Sequence, residues 1–254
     1  MLHYKMLGLP ALIMISIAGF GQVDSVSVNR NNLLTGKLTE GKSSYCIFSK
    51  DVNTGLVSQI SIWNREVSFA IMNGHKVVVV KQMRYSPDQK KNKYVYTVSD
   101  RATMQTIYNK SARDGMKIEA YNYNDREISG ADSVKENTKR DFTLHVKEPP
   151  YCFEIDLETL RLLPILKVGQ KLAVNFYHPG GETLPKYYPV DVIGLEELEL
   201  MGGQKVICWK ILLRYDENSF DYSWISKTSR EFVKLEGHYG TTIFNKVKIG
   251  MPVL

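Results

Sequence analysis

Apolar and polar positions alternate with a period of two through most of this chain. Phe142, Leu144 and Val146 are separated by polar residues, and an apolar face repeats in the same way within five further segments: 94–98, 172–176, 207–215, 220–224 and 243–249. Strict alternation is typical of half-buried β-strands, which turn one face to a core and the other to solvent. The pattern therefore predicts a mainly β protein of antiparallel strands with one wet face.

Turn residues separate these segments at short intervals. Asn73 and Gly74 lie between two apolar segments, and this dipeptide is typical of a type I′ hairpin turn. Gly202 and Gly203 stand in a similar position, and residues 216–219 form another short polar connection. Consecutive hairpins predict an antiparallel meander, as one curved sheet or two joined sheets.

A helical pattern is found in one segment, 156–163. Asp156 can cap its first turn and Pro164 ends it. Three leucines then share one helix face: Leu157, Leu160 and Leu163. A short helix with such a stripe is expected to pack against the concave side of a sheet.

The first residues predict export. Lys5 precedes an apolar segment over 6–20, which is about 15 residues and shorter than the roughly 20 needed to cross a bilayer. Small residues then allow cleavage between Gly21 and Gln22. We therefore predict a signal peptide over 1–21, a periplasmic or secreted mature protein, and no membrane span after cleavage.

The remaining residues, 22–254, are predicted to form a single β-rich domain. With 43% hydrophobic residues in 254, the chain can bury a sizeable core. Pro149 and Pro150 indicate a seam between two halves near 148–155. The net charge of +6 is spread along the chain, and its densest basic cluster, 89–93, is typical of a solvated loop, so no nucleic-acid partner is expected.

No motif predicts a cofactor or a metal. Residues 36–43 match the phosphate-loop pattern, but 45–48 favour a strand where a nucleotide site requires a helix. Histidine occurs at four separated positions in the mature chain: His75, His145, His178 and His238. None has the spacing of a zinc motif.

No catalytic residue is predicted either. Serine-hydrolase motifs are absent from the sequence, and its three cysteines, Cys46, Cys152 and Cys208, are far apart in it. A Cys152–Cys208 disulfide and a Cys–His pair formed by tertiary contacts both remain open, because sequence alone does not show which residues approach each other.

Aromatic residues give one hint of a ligand. Trp63, Trp209 and Trp224 could line a cavity or stack on sugars, although core packing explains them as well. Together with the leucine stripe they define a candidate apolar cleft of five residues: Leu157, Leu160, Leu163, Trp209 and Trp224.

The second half resembles a known family. Its marks are Leu163-Pro164, Gly169, residues 187–196, Cys208-Trp209 and Trp224-Ile225. This set resembles the exported envelope family called domain of unknown function 3108, in the form found in Bacteroidetes-type bacteria. The resemblance implies an antiparallel sheet curled round a short helix as a half-barrel. It implies no activity, so no site residue is transferred. In such a host, Ser25 and Ser133 would also resemble acceptors for envelope O-glycosylation.

These observations favour an exported, non-enzymatic envelope protein. Its curved sheet would hold an apolar or amphiphilic ligand, lipid-like or glycan, or a partner protein, in the concavity around the helix. Two alternatives remain: a hydrolase acting on envelope polymers, with a site assembled from scattered residues, and a structural module of an outer-membrane assembly. The oligomeric state is left open.

Overall fold

The computed structural model describes residues 23–113, 117–200 and 203–249. Within these ranges the protein is mostly β, with 58% strand and 8% helix. The mainly β prediction is therefore confirmed. The predicted signal peptide, 1–21, and Gly202 of the predicted second turn lie outside the described residues.

The first half forms one meander of eight antiparallel strands. They are Gly41–Asp51 (β2), Val57–Met72 (β3), His75–Tyr85 (β4), Lys93–Asp100 (β5), Thr106–Arg113 (β6), Ile118–Tyr123 (β7), Glu127–Gly130 (β8) and Thr143–His145 (β9), preceded by Val23–Val26 (β1). Each from β2 to β9 pairs with the next. Asn73 and Gly74 link β3 to β4 with φ angles of 49° and 81°, as a type I′ turn requires.

The second half forms another antiparallel meander of six strands. They are Lys171–Tyr177 (β11), Lys186–Glu199 (β12), Lys205–Arg214 (β13), Ser219–Ser226 (β14), Phe232–Tyr239 (β15) and Thr242–Ile249 (β16), preceded by Tyr151–Cys152 (β10). Both β1 and β10 pair with β11 in parallel, which the alternation pattern did not predict.

Strand β16 pairs with β2 and so joins the two meanders into one open sheet. The sheet therefore contains strands from both sides of residues 148–155, where the sequence indicates a seam.

Side chains bring the two ends of the open sheet together. The rings of Tyr123 on β7 and Tyr177 on β11 lie 6.4 Å apart, and the Cys152 N–H donates to Thr106 Oγ1 on β6. Gly180 has a φ of +76°, and a Cβ there would stand 2.4 Å from the Tyr121 hydroxyl oxygen. Only glycine permits this close approach, which follows from the curl of the sheet.

The helix α1 (Asp156–Arg161), preceded by the 3₁₀ turn Phe153–Ile155, lies inside the curl. Leu157 and Leu160 of the helix, and Leu163 just after it, are 0–1% exposed and belong to the main core. The helix ends two residues before the predicted bound. The two carbonyls that follow the helix are bonded by other parts of the chain, since the Leu34 N–H donates to the Leu162 carbonyl and Arg230 donates to that of Leu163.

A buried ion pair fixes α1 to the inner face of the sheet. Arg65 on β3 donates through Nε and Nη2 to the Glu158 carboxylate, and through Nη1 to Gln82 Oε1 at 2.8 Å. Its Nη2 also reaches the Glu154 carbonyl at 3.3 Å. Burial opposes the charge of Arg65, but Glu158 and Asp156 outweigh burial and raise its pKa.

The prediction of one wet face is wrong over part of the sheet. Val206, Cys208, Trp224 and Val233 form a second buried cluster on the face opposite the main core. The Lys210 and Lys234 ammonium groups lie 4.8 and 4.4 Å from the Trp224 ring centroid. Lysine side chains can cover apolar surface and keep the charge in water, which buries Trp224 on the outer face.

Replacing Arg65 with methionine tests the buried ion pair. We expect Arg65→Met to lower the free energy of unfolding by about 3–5 kcal/mol, because it leaves the buried Glu158 carboxylate without a counter-charge. Urea unfolding measures this loss. The matched control is Arg214→Met, which breaks a more exposed ion pair, that of Arg214 with Asp191. It should cost less than about 1 kcal/mol. If both variants lost the same free energy of unfolding, the Arg65–Glu158 pair would contribute no more than an exposed pair, which would contradict its role in fixing α1.

Candidate functional site

The residues of the predicted apolar cleft do not all come together. Leu157, Leu160, Leu163 and Trp209 lie in the main core, whereas Trp224 belongs to the outer cluster. Each is at most 7% exposed. These side chains therefore act in packing, with Leu157 also forming part of the wall of a groove beside α1.

A cavity of about 320 Å³ opens between the start of α1 and the inner faces of β14, β15 and β16. We call it the inner cavity. Its polar lining includes Asp156, Asp221, Lys246 and Tyr215, and its apolar lining includes Trp63, Phe153, Leu235 and Phe244. His178 and Tyr239 are exposed and lie at its mouth.

Lys246 is the most unusual residue of the inner cavity. It is 3% exposed, and its register on β16 places it opposite the buried Leu235 on β15. Its Nζ lies 4.4 Å from the Trp63 ring centroid, yet it forms no hydrogen bond or ion pair with any residue in the described part of the chain. Burial lowers the pKa of Lys246, while Asp156 opposes this shift.

Asp156 faces the cavity from the first residue of α1. Its Oδ1 accepts the Leu157 N–H at 2.8 Å, which is the one hydrogen bond that the described residues make with this carboxylate. Burial raises the pKa of Asp156, although Lys246 and Arg65 act against it. A carboxylate oxygen therefore remains able to accept a hydrogen bond in the cavity.

Asp221 is held more firmly. Its two oxygens accept from Tyr215 Oη at 2.6 Å and Tyr239 Oη at 2.5 Å. Burial is the main cause that raises the pKa of Asp221. Gly237, on the neighbouring strand, makes room for this group, since a Cβ there would stand 2.4 Å from Asp221 Oδ1. A glycine within a strand is the sequence signal that could have indicated this close approach.

Sequence alternation missed the polar residues of the cavity because it assigned the wrong strand faces. It indicated Phe220, Tyr222 and Trp224 as the apolar face of β14, whereas Asp221 and Ile225 face the core. On β16 the apolar positions within 243–249 likewise indicated that the core-facing side of the strand is the side opposite Lys246. A lysine or aspartate between apolar residues normally marks the wet face, and here it marks the cavity.

The mouth of the inner cavity carries an aromatic stack. The His178 ring lies 4.0 Å from that of Phe153, with 28° between their planes. His178 is exposed as a residue, yet partial desolvation of its ring lowers its pKa, which favours the neutral imidazole. Beside it, Lys93 Nζ lies 2.6 Å from Glu154 Oε1.

A second opening, the helix groove, lies along another side of α1 and has a volume of about 470 Å³. Tyr45, Val67, Leu157 and Phe232 form its base, and each is at most 7% exposed. Burial raises the pKa of Tyr45 to about 12, and its hydroxyl donates to the Phe232 carbonyl. The Tyr45 hydroxyl at this base is thus already paired, whereas Arg161 Nε and Glu231 Oε2, which also line the groove, are buried without a hydrogen-bond partner among the described residues.

The cysteines do not support the alternatives left open by the sequence. Cys152 lies in the main core and Cys208 in the outer cluster, and all three thiols are free, so the considered disulfide is wrong. Burial raises the pKa of both Cys152 and Cys208 to about 12. A thiolate nucleophile at either position is therefore disfavoured at neutral pH.

The remaining candidate motifs form no site within the described ranges. A 3₁₀ turn, Thr35–Lys37, and then strand β2 occupy the segment with the phosphate-loop pattern, so no helix follows it. Within 23–113, 117–200 and 203–249, no group of three or more His, Cys, Asp or Glu residues could hold a metal. No helix in these ranges is long and apolar enough to cross a membrane.

An open β-sheet curled round a short helix, with a polar cavity inside, places this protein among β-barrel-like proteins. The model of the family called protein of unknown function (DUF3108) matches residues 52–247. The chain belongs to this family, as its resemblance predicted. No curated protein matches the sequence.

Two solved structures that match this chain have low sequence identity to it. A β-barrel-like protein of domain of unknown function DUF1849 from Brucella abortus is 12% identical with a TM-score of 0.52, over 84% of this chain and 96% of that one. A candidate lipoprotein from Parabacteroides distasonis is 11% identical with a TM-score of 0.34, over 83% and 94%. The first likeness confirms the fold alone.

Thiol titration tests the state of the cysteines. In denaturant without a reductant, we expect three reactive thiols per chain, because all three cysteines are free. Ellman's reagent measures the number. One reactive thiol would instead show that a disulfide has formed. In the native protein, the buried Cys152 and Cys208 should react much more slowly than Cys46.

The lowered pKa of Lys246 has a measurable effect on stability. We expect Lys246→Met to raise the free energy of unfolding at neutral pH, because a charged side chain that is only 3% exposed and has no hydrogen-bond acceptor among the described residues costs more than a thioether. The unfolded chain holds the lysine proton more tightly, so the stability of the unmodified protein rises as pH increases through the folded pKa. The advantage of the variant should therefore disappear above the ordinary lysine pKa of about 10.4.

Urea unfolding from about pH 6 to about pH 11 measures this difference. Lys248→Met is the matched control on the same strand. Lys248 is paired with Glu231, so its replacement should destabilise the protein at neutral pH. A destabilised Lys246→Met variant would show that the charge of Lys246 supports the fold.

Proposed function

We propose that this protein is an exported, non-enzymatic envelope protein that binds a small ligand in the inner cavity. The observation that carries the proposal is Lys246, which is 3% exposed as a residue and lines the cavity, while its ammonium has no hydrogen-bond acceptor among the described residues. Buried charges in proteins are normally paired or hydrogen-bonded, since desolvation is costly. A ligand with an acceptor group would supply the missing partner.

The electrostatics of the cavity support binding. Lys246 has a lowered pKa and Asp156 and Asp221 have raised ones, and burial is the largest cause in each case. Perturbed titratable groups that converge on one cavity are a mark of functional sites. The fold keeps these groups at a cost in stability, which packing alone does not explain.

A small ligand fits better than a partner chain inside the curl. Helix α1 and the main core already fill most of the concave side, and the inner cavity has a volume of about 320 Å³. Small-molecule pockets measure roughly 300–1,000 Å³, so this volume suits a ligand of one or two rings. A polypeptide segment would require α1 to leave its place, which the Arg65–Glu158 pair opposes.

Binding is also favoured over hydrolysis. The described lining of the cavity contains no serine, threonine or cysteine that could serve as a nucleophile. Asp221 is engaged by two tyrosine hydroxyls, which hold it in place rather than leave it free to exchange protons. These features suit recognition more than acid and base chemistry.

Export is the second part of the proposal and rests on the leader-like sequence over 1–21. If the host modifies envelope proteins by O-glycosylation, Ser133 is the better acceptor of the two predicted ones. It is exposed in a turn, whereas Ser25 is half-buried in β1 and paired with β11.

Ligand capture tests the binding function without assuming a ligand. The purified protein is incubated with aqueous and organic extracts of bacterial envelopes and analysed by native mass spectrometry. We expect a small-molecule adduct on the unmodified protein and on Lys248→Met, and none on Lys246→Met, because Lys246 lines the cavity and Lys248 does not. An adduct that survives equally in Lys246→Met would place binding elsewhere, and no adduct from either extract would count against the function.

A further inference from the structure

We infer that the inner cavity recognises an uncharged saccharide, through a hydroxyl group that lies between Lys246 and Asp156. This inference rests on the proposed binding function and names the class of ligand. Its basis is the juxtaposition of a donor and an acceptor, both buried and both incompletely paired, in one cavity of about 320 Å³.

Hydrogen-bond chemistry favours a hydroxyl. An ammonium can only donate and a carboxylate can only accept. A hydroxyl accepts from Lys246 Nζ with its lone pairs while its own hydrogen is donated to Asp156. An ionised ligand carboxylate could accept from Lys246, but it would have no hydrogen for Asp156.

The charge balance of the cavity also disfavours an anion. When Asp156 and Asp221 are ionised, they already outnumber the single buried cation Lys246, and Arg65 is neutralised by Glu158. An anionic ligand would add a third negative charge in a poorly solvated space. A neutral ligand adds none, so its hydrogen bonds are not offset by repulsion.

The lining disfavours an acyl chain. An apolar ligand would remove water from Lys246 and Asp156 without replacing its hydrogen bonds, which is costly for both groups. The aromatic walls still suit a sugar, because the C–H faces of a pyranose pack against rings such as Phe153, Phe244 and Tyr215. Polar and apolar lining together match the two surfaces of a sugar ring.

The size and mouth of the cavity fit the end of a glycan. The volume lies at the lower end of the roughly 300–1,000 Å³ usual for ligand pockets, which limits the buried part to one or two rings. The exposed His178 and Tyr239 leave the mouth open to solvent. A longer chain can therefore continue outside while its terminal residue is bound.

Isothermal titration calorimetry with defined probes tests the inference. The neutral probes are glucose, galactose, mannose, N-acetylglucosamine and their common disaccharides; glucuronate adds one carboxylate to a sugar ring, and laurate supplies an acyl chain. We expect at least one neutral sugar to bind, glucuronate to bind at least tenfold more weakly than glucose, and laurate not to bind.

Variants then locate the contact. Lys246→Met and Asp156→Asn should each weaken binding of that sugar by about tenfold or more, as expected for loss of a hydrogen bond to a charged group. Lys248→Met should leave it unchanged. Because Lys246→Met is expected to fold at least as stably as the unmodified protein, its loss of binding would not reflect unfolding.

Three results would overturn the inference: no binding of any neutral sugar, tighter binding of glucuronate or laurate, or sugar binding that both cavity variants retain. The proposed binding function fails separately. The binding function is contradicted if envelope extracts yield no adduct that depends on Lys246. A Lys246-dependent adduct that is not a saccharide would contradict only the inference about the class of ligand.

Discussion

The buried ion pair between Arg65 and Glu158 is the interaction on which the arrangement of this protein depends. It fixes a six-residue helix, too short to be stable alone, against the inner face of a curled sheet. Gln82 and the Glu154 carbonyl each accept a further guanidinium hydrogen, so the pair is compensated despite its burial. With the helix held here, its leucines fill the concave side and the sheet curls round them until its ends meet.

The same pair determines where the inner cavity lies. Asp156 stands two residues before Glu158, so the contact that anchors the helix also presents the Asp156 carboxylate towards Lys246. Glu158 is paired with Arg65, whereas the Asp156 carboxylate remains available to a ligand. Lys246 is exceptional because its burial is not compensated by hydrogen bonds within the described chain. Residues of this kind are usually retained for function at the expense of stability.

Local patterns predicted the local structure well. The alternation predicted the strands, Asn73 and Gly74 predicted their turn, and the leucine stripe predicted the helix inside the sheet. Such patterns could not predict pairing between distant strands. Strands β16 and β2 pair although they lie about 200 residues apart, and nothing in either segment specifies its partner. The inner cavity was missed for a related reason. Lys246 and Asp221 looked like solvent-facing residues, and only the tertiary structure encloses them.

The position of the cavity connects binding to the integrity of the fold. Trp63 comes from the first meander, Asp221 and Lys246 from the second, and Asp156 from the helix between them. Lys246 itself lies on β16, the strand that joins the two meanders. A ligand held by these residues binds only the native state, so it stabilises the joined sheet by about 2.7 kcal/mol at a hundred times its dissociation constant. Binding would thus offset the cost of burying Lys246 at the strand where the two halves of the sheet meet.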